Sequence, residues 1–245
     1  MSPAPGGYQL PLAFRPPTST GFADFVAGGN AEVVALLQEL AAGRHPAAVY
    51  LWGPAATGKT HLLYAVSAQA AARGRPAFLP LQEAASWSPA LLEGLEAADV
   101  VCIDNVEAIG GHADWEQGLF HLYNRLRDAG RPTVLASRYS PEASPIRLAD
   151  LRSRFAGSLV FRLDPLDEIA KVSALQQRGR QRGFEVPEAV ANYLLRRCPR
   201  DLGSLFEVLD RLDEASLSAQ RRLTVPFVRA FLEHHHHDNI AAISG

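Results

Sequence analysis

The chain has 245 residues, of which 47% are hydrophobic and 20% are charged, with a formal net charge of −2 at pH 7 and a sequence pI of about 6.4. This composition is that of a soluble globular protein and excludes a strongly basic nucleic-acid binder, so any DNA contact should be local or indirect. No apolar run approaches the roughly 18 residues of a membrane span. Cys102 and Cys198 have no metal or redox spacing, and both are expected to be buried small apolar residues in a reducing cytosol.

The first twenty residues are rich in Pro, Gly, Ser and Thr and are predicted to form a flexible arm. The arm contains a segment formed by Gln9, Leu10, Leu12 and Phe14. Its apolar side chains are not expected to stay in a disordered arm without a function. Either these side chains pack back on the chain's own surface, or the segment is a short peptide that docks into apolar pockets of a partner.

Strands and helices are predicted to alternate as far as residue 165. Asn30 is expected to cap a helix that ends at Gly43, and Ser88-Pro89 and Asp114 are expected to start two further helices. Short apolar runs predict strands at 48–52, 76–81, 100–103, 133–136 and 159–161. This alternation is typical of an α/β fold in which a five-stranded parallel sheet is flanked by helices.

From residue 166 onward the pattern is helical only. Helices are predicted at 168–182 and starting from Pro187, Asp201 and Thr224. We therefore expect an α/β domain at 21–165 and a small all-helical domain at 166–233. Residues 234–245, which begin with four histidines, are interpreted as a tag or vector-derived tail and left out of the fold prediction.

Residues 53–60 match the phosphate-binding pattern G-x-x-x-x-G-K-[ST] between a predicted strand and a predicted helix. Gly53 and Gly58 allow the tight backbone path. Lys59 reaches the terminal phosphates, and the Thr60 hydroxyl can ligate Mg²⁺. An ordinary strand-to-helix turn is the alternative, but the flanking pattern favours a nucleotide site. The predicted nucleotide-binding residues are Gly53, Pro54, Ala55, Ala56, Thr57, Gly58, Lys59, Thr60 and His61.

The apolar strand at 100–103 ends in Asp104, which a P-loop protein would place beside the bound Mg²⁺ together with Thr60. The next residue is Asn105, whose amide cannot accept a proton at neutral pH. Glu107 is close in sequence, but the pattern leaves open whether its side chain faces the same site. The basic segment 151–155 is either an ordinary helix end or a functional element.

Three segments resemble the ATPase core of DnaA, the bacterial replication initiator of the AAA+ superfamily: 104–107 (Asp-Asn-Val-Glu), 120–126 (Phe-His-Leu-Tyr-Asn-Arg-Leu) and 151–155 (Leu-Arg-Ser-Arg-Phe). The resemblance covers about 22–233. It implies that the phosphate loop is a Walker A motif that binds ADP or ATP with Mg²⁺, and that Asp104 is the Walker B acid. It also implies that Arg154 is an arginine finger offered to a neighbouring subunit's nucleotide, and that the helical part is an AAA+ lid.

The arm is similar to the sliding-clamp-binding peptide Q-x-x-L-x-F, which implies that Gln9, Leu10, Leu12 and Phe14 bind the clamp. The C-terminal helix-turn-helix domain of DnaA has no expected counterpart here. The resemblance therefore implies a nucleotide-bound regulator that is tethered to the DNA-loaded clamp and stimulates hydrolysis of the ATP bound to DnaA. Its expected partners are DnaA, the clamp and further copies of itself, as a dimer or an AAA+ assembly. It is expected in the cytoplasm, associated with the nucleoid through the clamp and DnaA.

Departures from the DnaA pattern predict weak intrinsic ATPase activity. Ser137-Arg138-Tyr139 stands where a sensor Asp or Asn is usual. The sensor arginine of the lid is replaced near Gly203, with Arg200 one turn away, and Asn105 stands in place of a second acid. Two alternatives remain open: an ATP-driven motor of the helicase-loader type, and a passive adaptor that uses nucleotide only to hold its fold.

Overall fold

The computed structural model describes residues 20–45, 47–199, 201–219 and 221–241, with side chains described as far as residue 233 except at residue 219. The chain separates into two compact units. The described part of the first unit comprises residues 20–22, 30–54 and 58–164, and that of the second comprises 23–29, 55–57 and the chain from 165 onward. The predicted domain boundaries at 21, 165 and 233 stay a prediction.

Within the described residues, the first unit contains a sheet of five strands: β1 (Ala48–Trp52), β2 (Pro76–Pro80), β3 (Val100–Asp104), β4 (Thr133–Ser137) and β5 (Leu159–Arg162). Their order is β2-β3-β4-β1-β5, and every neighbouring pair is parallel. β3 and β4 are buried along their whole length, which explains why both are continuous apolar runs. The predicted five-stranded parallel sheet is confirmed.

The described α-helices of the first unit are α1 (Ala31–Ala41), α2 (Lys59–Ala71), α3 (Ala113–Asp128) and α4 (Ala149–Ala156). α1 packs on α2, which lies on β2, β3 and β4. α3 and α4 pack together over an apolar core that includes Tyr50, Ile103 and Phe155. Because the strands are parallel, the loops after β1, β3 and β4 meet at one edge of the sheet, where ligands of such folds bind.

Short 3-10 helices lie at Phe22–Asp24, Gly28–Asn30, Leu81–Ser86, Pro89–Leu92, Leu95–Ala97 and Val106–Ile109. The predicted helix start at Ser88-Pro89 is one of them: the Ser88 hydroxyl accepts from the Ala90 N–H at 3.3 Å, but the helix lasts only four residues. The neighbouring Leu92 is buried in the core, so this short turn still anchors the segment between β2 and β3.

Of the two predicted helix caps, Asn30 has the predicted position but not the predicted bond, and the prediction for Asp114 is wrong. Asn30 precedes α1, but its side chain makes no cap bond. Its amide nitrogen instead donates to the Asp164 carbonyl oxygen at 3.1 Å, and its amide oxygen accepts from the Asp164 N–H at 3.0 Å. α3 begins at Ala113, so Asp114 lies inside the first turn rather than at the cap. Asn30 therefore ties the start of α1 to the chain that follows β5.

The described part of the second unit consists mainly of α5 (Glu168–Arg182), α6 (Glu188–Arg197), α7 (Leu202–Ala219) and α8 (Val225–Ala241), around an apolar core of their own. α5 has the predicted bounds, because the Asp167 carboxylate accepts from the Ala170 N–H at 2.7 Å at its start and Gly183, with φ of 85°, ends it. α8 continues through residues 234–241, and the interpretation of 234–245 as a tag or vector-derived tail stays a prediction.

Among the described helices, none combines the length and apolar character that crossing a membrane requires. Two predictions fall on parts of the chain outside the described residues. One is the clamp-binding segment with Gln9, Leu10, Leu12 and Phe14, and the other is Arg200 of the lid. Cys102 is buried as expected, whereas Cys198 is only partly buried.

Candidate nucleotide-binding site

The loop at residues 53–60 joins the end of β1 to the start of α2 and has the backbone form of a phosphate site. Gly53 and Gly58 have φ of 151° and 88°, a region that favours glycine, and a Cβ at Gly53 would collide with the Leu163 carbonyl oxygen. Ala56 also has a positive φ, 59°, which costs a non-glycine residue about 1–3 kcal/mol. Gly58 caps α2, so the N-terminal end of α2, which carries the positive end of the helix dipole, faces the loop.

Lys59 lies across the loop. Its ammonium donates to the carbonyl oxygens of Gly53 and Pro54, both at 2.7 Å. Burial lowers the pKa of Lys59, and the negative charges of Glu107 and Asp104 oppose this shift. The ammonium is thus held between the loop and two carboxylates, where it can act as a point charge toward phosphate oxygens.

Thr60 and Asp104 bring the loop and β3 together. The Thr60 hydroxyl donates to Asp104 Oδ2 at 2.6 Å, and the Asp104 residue is only 5% exposed. Burial raises the pKa of Asp104, while the bonds from Thr60 and from the Asn105 N–H oppose that shift. A hydroxyl and a carboxylate are the oxygen donors that Mg²⁺ prefers, so this pair fits a nucleotide-bound magnesium ion.

Asn105 makes the sharp turn that follows β3. Its backbone is left-handed, with φ of 57° and ψ of 49°, and its N–H donates to Asp104 Oδ1 at 3.0 Å. In the amide orientation that satisfies both groups, the side-chain nitrogen donates to the two Asp104 carboxylate oxygens at 3.2 and 3.0 Å. Asn105 therefore stabilises the ionised form of Asp104 and does not act as a proton acceptor.

Glu107 is the residue of this site whose placement the sequence left open. The turn at Asn105 starts the 3-10 helix Val106–Ile109 and brings the Glu107 side chain, 13% exposed, back toward Lys59 and Asp104. Glu107 Oε1 lies 3.6 Å from Nε of Arg138, the residue after β4. The sequence carried one indication of this placement: an asparagine, which tolerates left-handed backbone, directly follows a buried strand.

The other predicted loop residues have varied surroundings. Pro54 and Ala55 are exposed, and Thr57 is buried. The His61 side chain in the first turn of α2 has its Nε2 atom 3.0 Å from the Gly21 carbonyl oxygen. His61 therefore anchors the chain before α1, and its predicted contact with nucleotide stays a prediction.

Arg154 lies near the end of α4. Its guanidinium carbon is 5.9 Å from the centre of the Phe120 ring of α3, and its charge lowers the pKa of Tyr123, although burial raises that pKa overall. Leu151 and Phe155 of α4 are fully buried, whereas Arg152 is exposed and Arg154 is partly exposed. The structure thus brings Lys59, Thr60 and Asp104 together, and it places Arg154 on a separate element.

Comparison with known proteins identifies the fold that carries this site. Residues 167–232 match the family model of the Hda lid domain. Among solved structures, domain III of DnaA from Thermotoga maritima is 24% identical with a TM-score of 0.77, over 88% of this chain and 96% of that chain. Residues 167–232 thus resemble an Hda lid, and the chain has the fold of DnaA domain III. The family resemblance and the predicted AAA+ fold with a helical lid are therefore confirmed.

Two further structures show how widely the fold is shared. DnaA from Aquifex aeolicus in its AMPPCP-bound form is 20% identical with a TM-score of 0.65, over 79% of this chain and 65% of that chain. The Holliday junction branch migration motor RuvB from Thermotoga maritima is 18% identical with a TM-score of 0.63, over 84% of this chain and 67% of that chain. At these identities the likeness concerns the fold, and activity has to be argued from the site.

Proposed function

We propose that this chain is a DnaA-related regulator of bacterial replication initiation. In this proposal it binds adenine nucleotide, is tethered to the DNA-loaded sliding clamp, and stimulates hydrolysis of the ATP bound to DnaA. The observation that carries the proposal is the match of residues 167–232 to the Hda lid, on a core with the DnaA fold. The product would be ADP-bound, inactive initiator, and the tether would restrict the reaction to DNA that is already being copied.

The chain's own ligand would be ADP or ATP on the loop at 53–60. Lys59 would bind the phosphates, and Thr60 and Asp104 would hold the Mg²⁺ ion, which neutralises phosphate charge when bound. The 2.6 Å bond between Thr60 and Asp104 supports this assignment. Because Asn105 donates to Asp104, the position next to the acid takes no proton, and we expect slow turnover by the chain itself.

Arg154 would act on the nucleotide of a neighbouring DnaA subunit. During phosphoryl transfer, negative charge spreads over the phosphoryl oxygens, and a guanidinium offers fixed positive charge with a planar set of donors. Arginine fingers contribute about 10³–10⁵ in rate. The support is the place of Arg154 in the last turn of α4, where its side chain is partly exposed while Leu151 and Phe155 anchor the helix in the core. Such a residue can change a neighbour's rate while the chain's own site is nearly silent.

The proposed tether is the arm with Gln9, Leu10, Leu12 and Phe14. The sequence alone supports it, since these residues lie outside the described part of the chain. Gln9 would make polar contacts through its amide, and the apolar side chains would fill pockets of the clamp. We also propose that the chain associates with further copies of itself, as a dimer or an AAA+ assembly, and works in the cytoplasm near the nucleoid.

A second candidate function is an active ATPase motor of the helicase-loader type. One observation favours it: the Glu107 carboxylate lies inside the site, near Lys59 and Asp104, where an acid could orient an attacking water. Arg138 opposes this, because its guanidinium already pairs with Glu107 at 3.6 Å. The motor and the regulator differ in which protein hydrolyses the ATP.

The test is a reconstitution with DnaA loaded with labelled ATP, the DNA-loaded clamp and this chain. The regulator hypothesis predicts that DnaA-bound ATP is hydrolysed faster only when chain and clamp are both present. Hydrolysis by this chain without DnaA, at the rate seen in the full mixture, would favour the motor. Equal DnaA hydrolysis with and without the chain would refute the regulator hypothesis.

A further inference from the structure

Glu116 is an acidic residue buried in the first turn of α3, with only 3% of its surface exposed. Its carboxylate accepts backbone hydrogen bonds from segments on both sides of it. Oε1 accepts from the Gly111 N–H at 2.7 Å, both oxygens accept from the Arg147 N–H at 3.0 Å, and Oε2 accepts from the Leu148 N–H at 2.7 Å. These short bonds to an ionised acceptor are the strong kind.

Two of these donors lie immediately before α4. Leu148 is the residue at the N-terminal cap of α4, in extended backbone with φ of −67° and ψ of 106°, and its side chain makes no cap bond. A helix of eight residues is marginal on its own, so its direction depends on what holds its ends. Glu116 therefore fixes the point at which the chain enters α4.

The same helix α3 also contacts the other end of α4. Phe120, four residues after Glu116, lies under the Arg154 guanidinium at 5.9 Å. Phe155 packs against Tyr50 with 5.1 Å between ring centres. α4 is thus held at its start by a carboxylate and near its end by aromatic packing, with Arg154 at the held end.

We propose that Glu116 is a positioning residue for Arg154, an inference that rests on the proposed function. A carboxylate suits this place because it offers only acceptors to the N–H groups of Gly111, Arg147 and Leu148. An amide would direct an NH₂ group at one set of donors whichever way it is turned. The isosteric change Glu116→Gln therefore breaks the contact without changing the volume of the side chain.

The first measurement is hydrogen exchange of the segment 147–156 in the full chain, followed by mass spectrometry. In Glu116→Gln, these amides should exchange about tenfold faster or more, as expected from the loss of a charge-assisted hydrogen bond. The matched control is Glu96→Gln, which removes a carboxylate that contacts α3 at Arg125, 3.1 Å away and nine residues along the helix from Glu116. The control should leave exchange in 147–156 unchanged.

The second measurement is the stimulated hydrolysis of DnaA-bound ATP. A shift of about 1 Å at a catalytic group costs roughly 100-fold in rate, so Glu116→Gln should lower the stimulation about 10- to 100-fold. Its affinity for ADP should match that of the parent, because the phosphate loop does not contact Glu116. Combined with Arg154→Ala, Glu116→Gln should cause no further loss.

A second variant removes the hydrogen bond between Leu148 and Glu116 by changing the donor instead of the acceptor. Leu148→Pro removes the N–H that donates to Glu116, and the Leu148 φ of −67° already suits proline. It should reproduce the exchange and rate effects of Glu116→Gln. This variant keeps the inference testable if Glu116→Gln does not fold.

The outcomes separate the two proposals. Unchanged exchange in 147–156, or a parallel loss of ADP affinity, would overturn the positioning role of Glu116. So would faster exchange with full stimulation. If Arg154→Ala stimulates as well as the parent, the proposed function fails, and the exchange experiment alone still decides whether Glu116 fixes α4.

Discussion

Tyr50 of β1 contacts both the segment after β4 and helix α4. Tyr50→Phe removes only its hydroxyl. The hydroxyl donates to the Tyr139 carbonyl oxygen at 3.1 Å, which ties β1 to the segment after β4. The ring is fully buried against Phe155 of α4. Removing the donor leaves a carbonyl unpaired, so we expect Tyr50→Phe to lower the free energy of unfolding by about 0.5–1.5 kcal/mol at pH 7.

The same change should act in the opposite direction at high pH. Burial raises the pKa of Tyr50 from 10.0 to about 12, because the fold favours the neutral phenol. This stabilisation is complete below pH 10 and is lost as the pH rises toward 12. The full shift corresponds to about 2.7 kcal/mol, of which about 1.4 kcal/mol is lost by pH 11. The variant has no such loss, so near pH 11 it should be as stable as the parent or up to about 0.9 kcal/mol more stable.

Urea titrations of parent and variant at pH 7, 9 and 11 give the two free energies of unfolding. Taking their difference cancels the ionisation of all other groups. Tyr139→Phe is the matched control, since it removes the hydroxyl of a residue that is 45% exposed and keeps the backbone carbonyl that accepts from Tyr50. A stability difference between parent and Tyr50→Phe that is the same at pH 7 and pH 11 would refute the buried neutral phenol.

Three further predictions concern ligands. Lys59→Ala should weaken ADP binding in isothermal titration about 10- to 150-fold, because a charge-assisted contact to the phosphates is lost. Lys171→Ala changes the other lysine of the chain and should bind ADP normally. Equal ADP affinity in the two variants would show that the loop at 53–60 is not the binding site. The purified chain should hydrolyse ATP slowly, and brisk hydrolysis abolished by Glu107→Gln would show that Glu107 acts as the base. Deleting residues 1–15 should abolish the binding of the chain to immobilised clamp in surface plasmon resonance, because each buried apolar side chain contributes about 1.5–3 kcal/mol to binding. Retained affinity for the clamp would show that the arm has another role.

Features set by neighbouring residues were predictable from the sequence. The bounds of α5 follow from a capping aspartate and a left-handed glycine, Asp167 and Gly183, which act within a few residues. β3 and β4 follow from apolar runs because both faces of the covered part of the parallel sheet are buried. The loop at 53–60 and Asp104 were found as motifs for the same reason, although their roles toward nucleotide stay predictions.

Features set by distant partners were not predictable. Asn30 has the residue type of a helix cap, but its partner is Asp164, 134 positions away in the chain. The acid Glu116 gave no signal, because its donors come from segments that only the fold brings together. The place of Glu107 was only partly predictable, since its orientation depends on the left-handed turn at Asn105. Local preference is overruled wherever a tertiary hydrogen bond offers a better partner.

The central claim is that Arg154 accelerates hydrolysis on a neighbouring subunit. Its most direct test is the single-turnover rate of DnaA-bound ATP with DNA-loaded clamp and either the parent chain, Arg154→Ala or Arg152→Ala, an exposed arginine of the same helix. We predict that Arg154→Ala binds ADP and clamp normally but loses the stimulation, up to the 10³–10⁵ that a finger contributes, while Arg152→Ala keeps it. Full stimulation by Arg154→Ala, or loss only in Arg152→Ala, would contradict the claim.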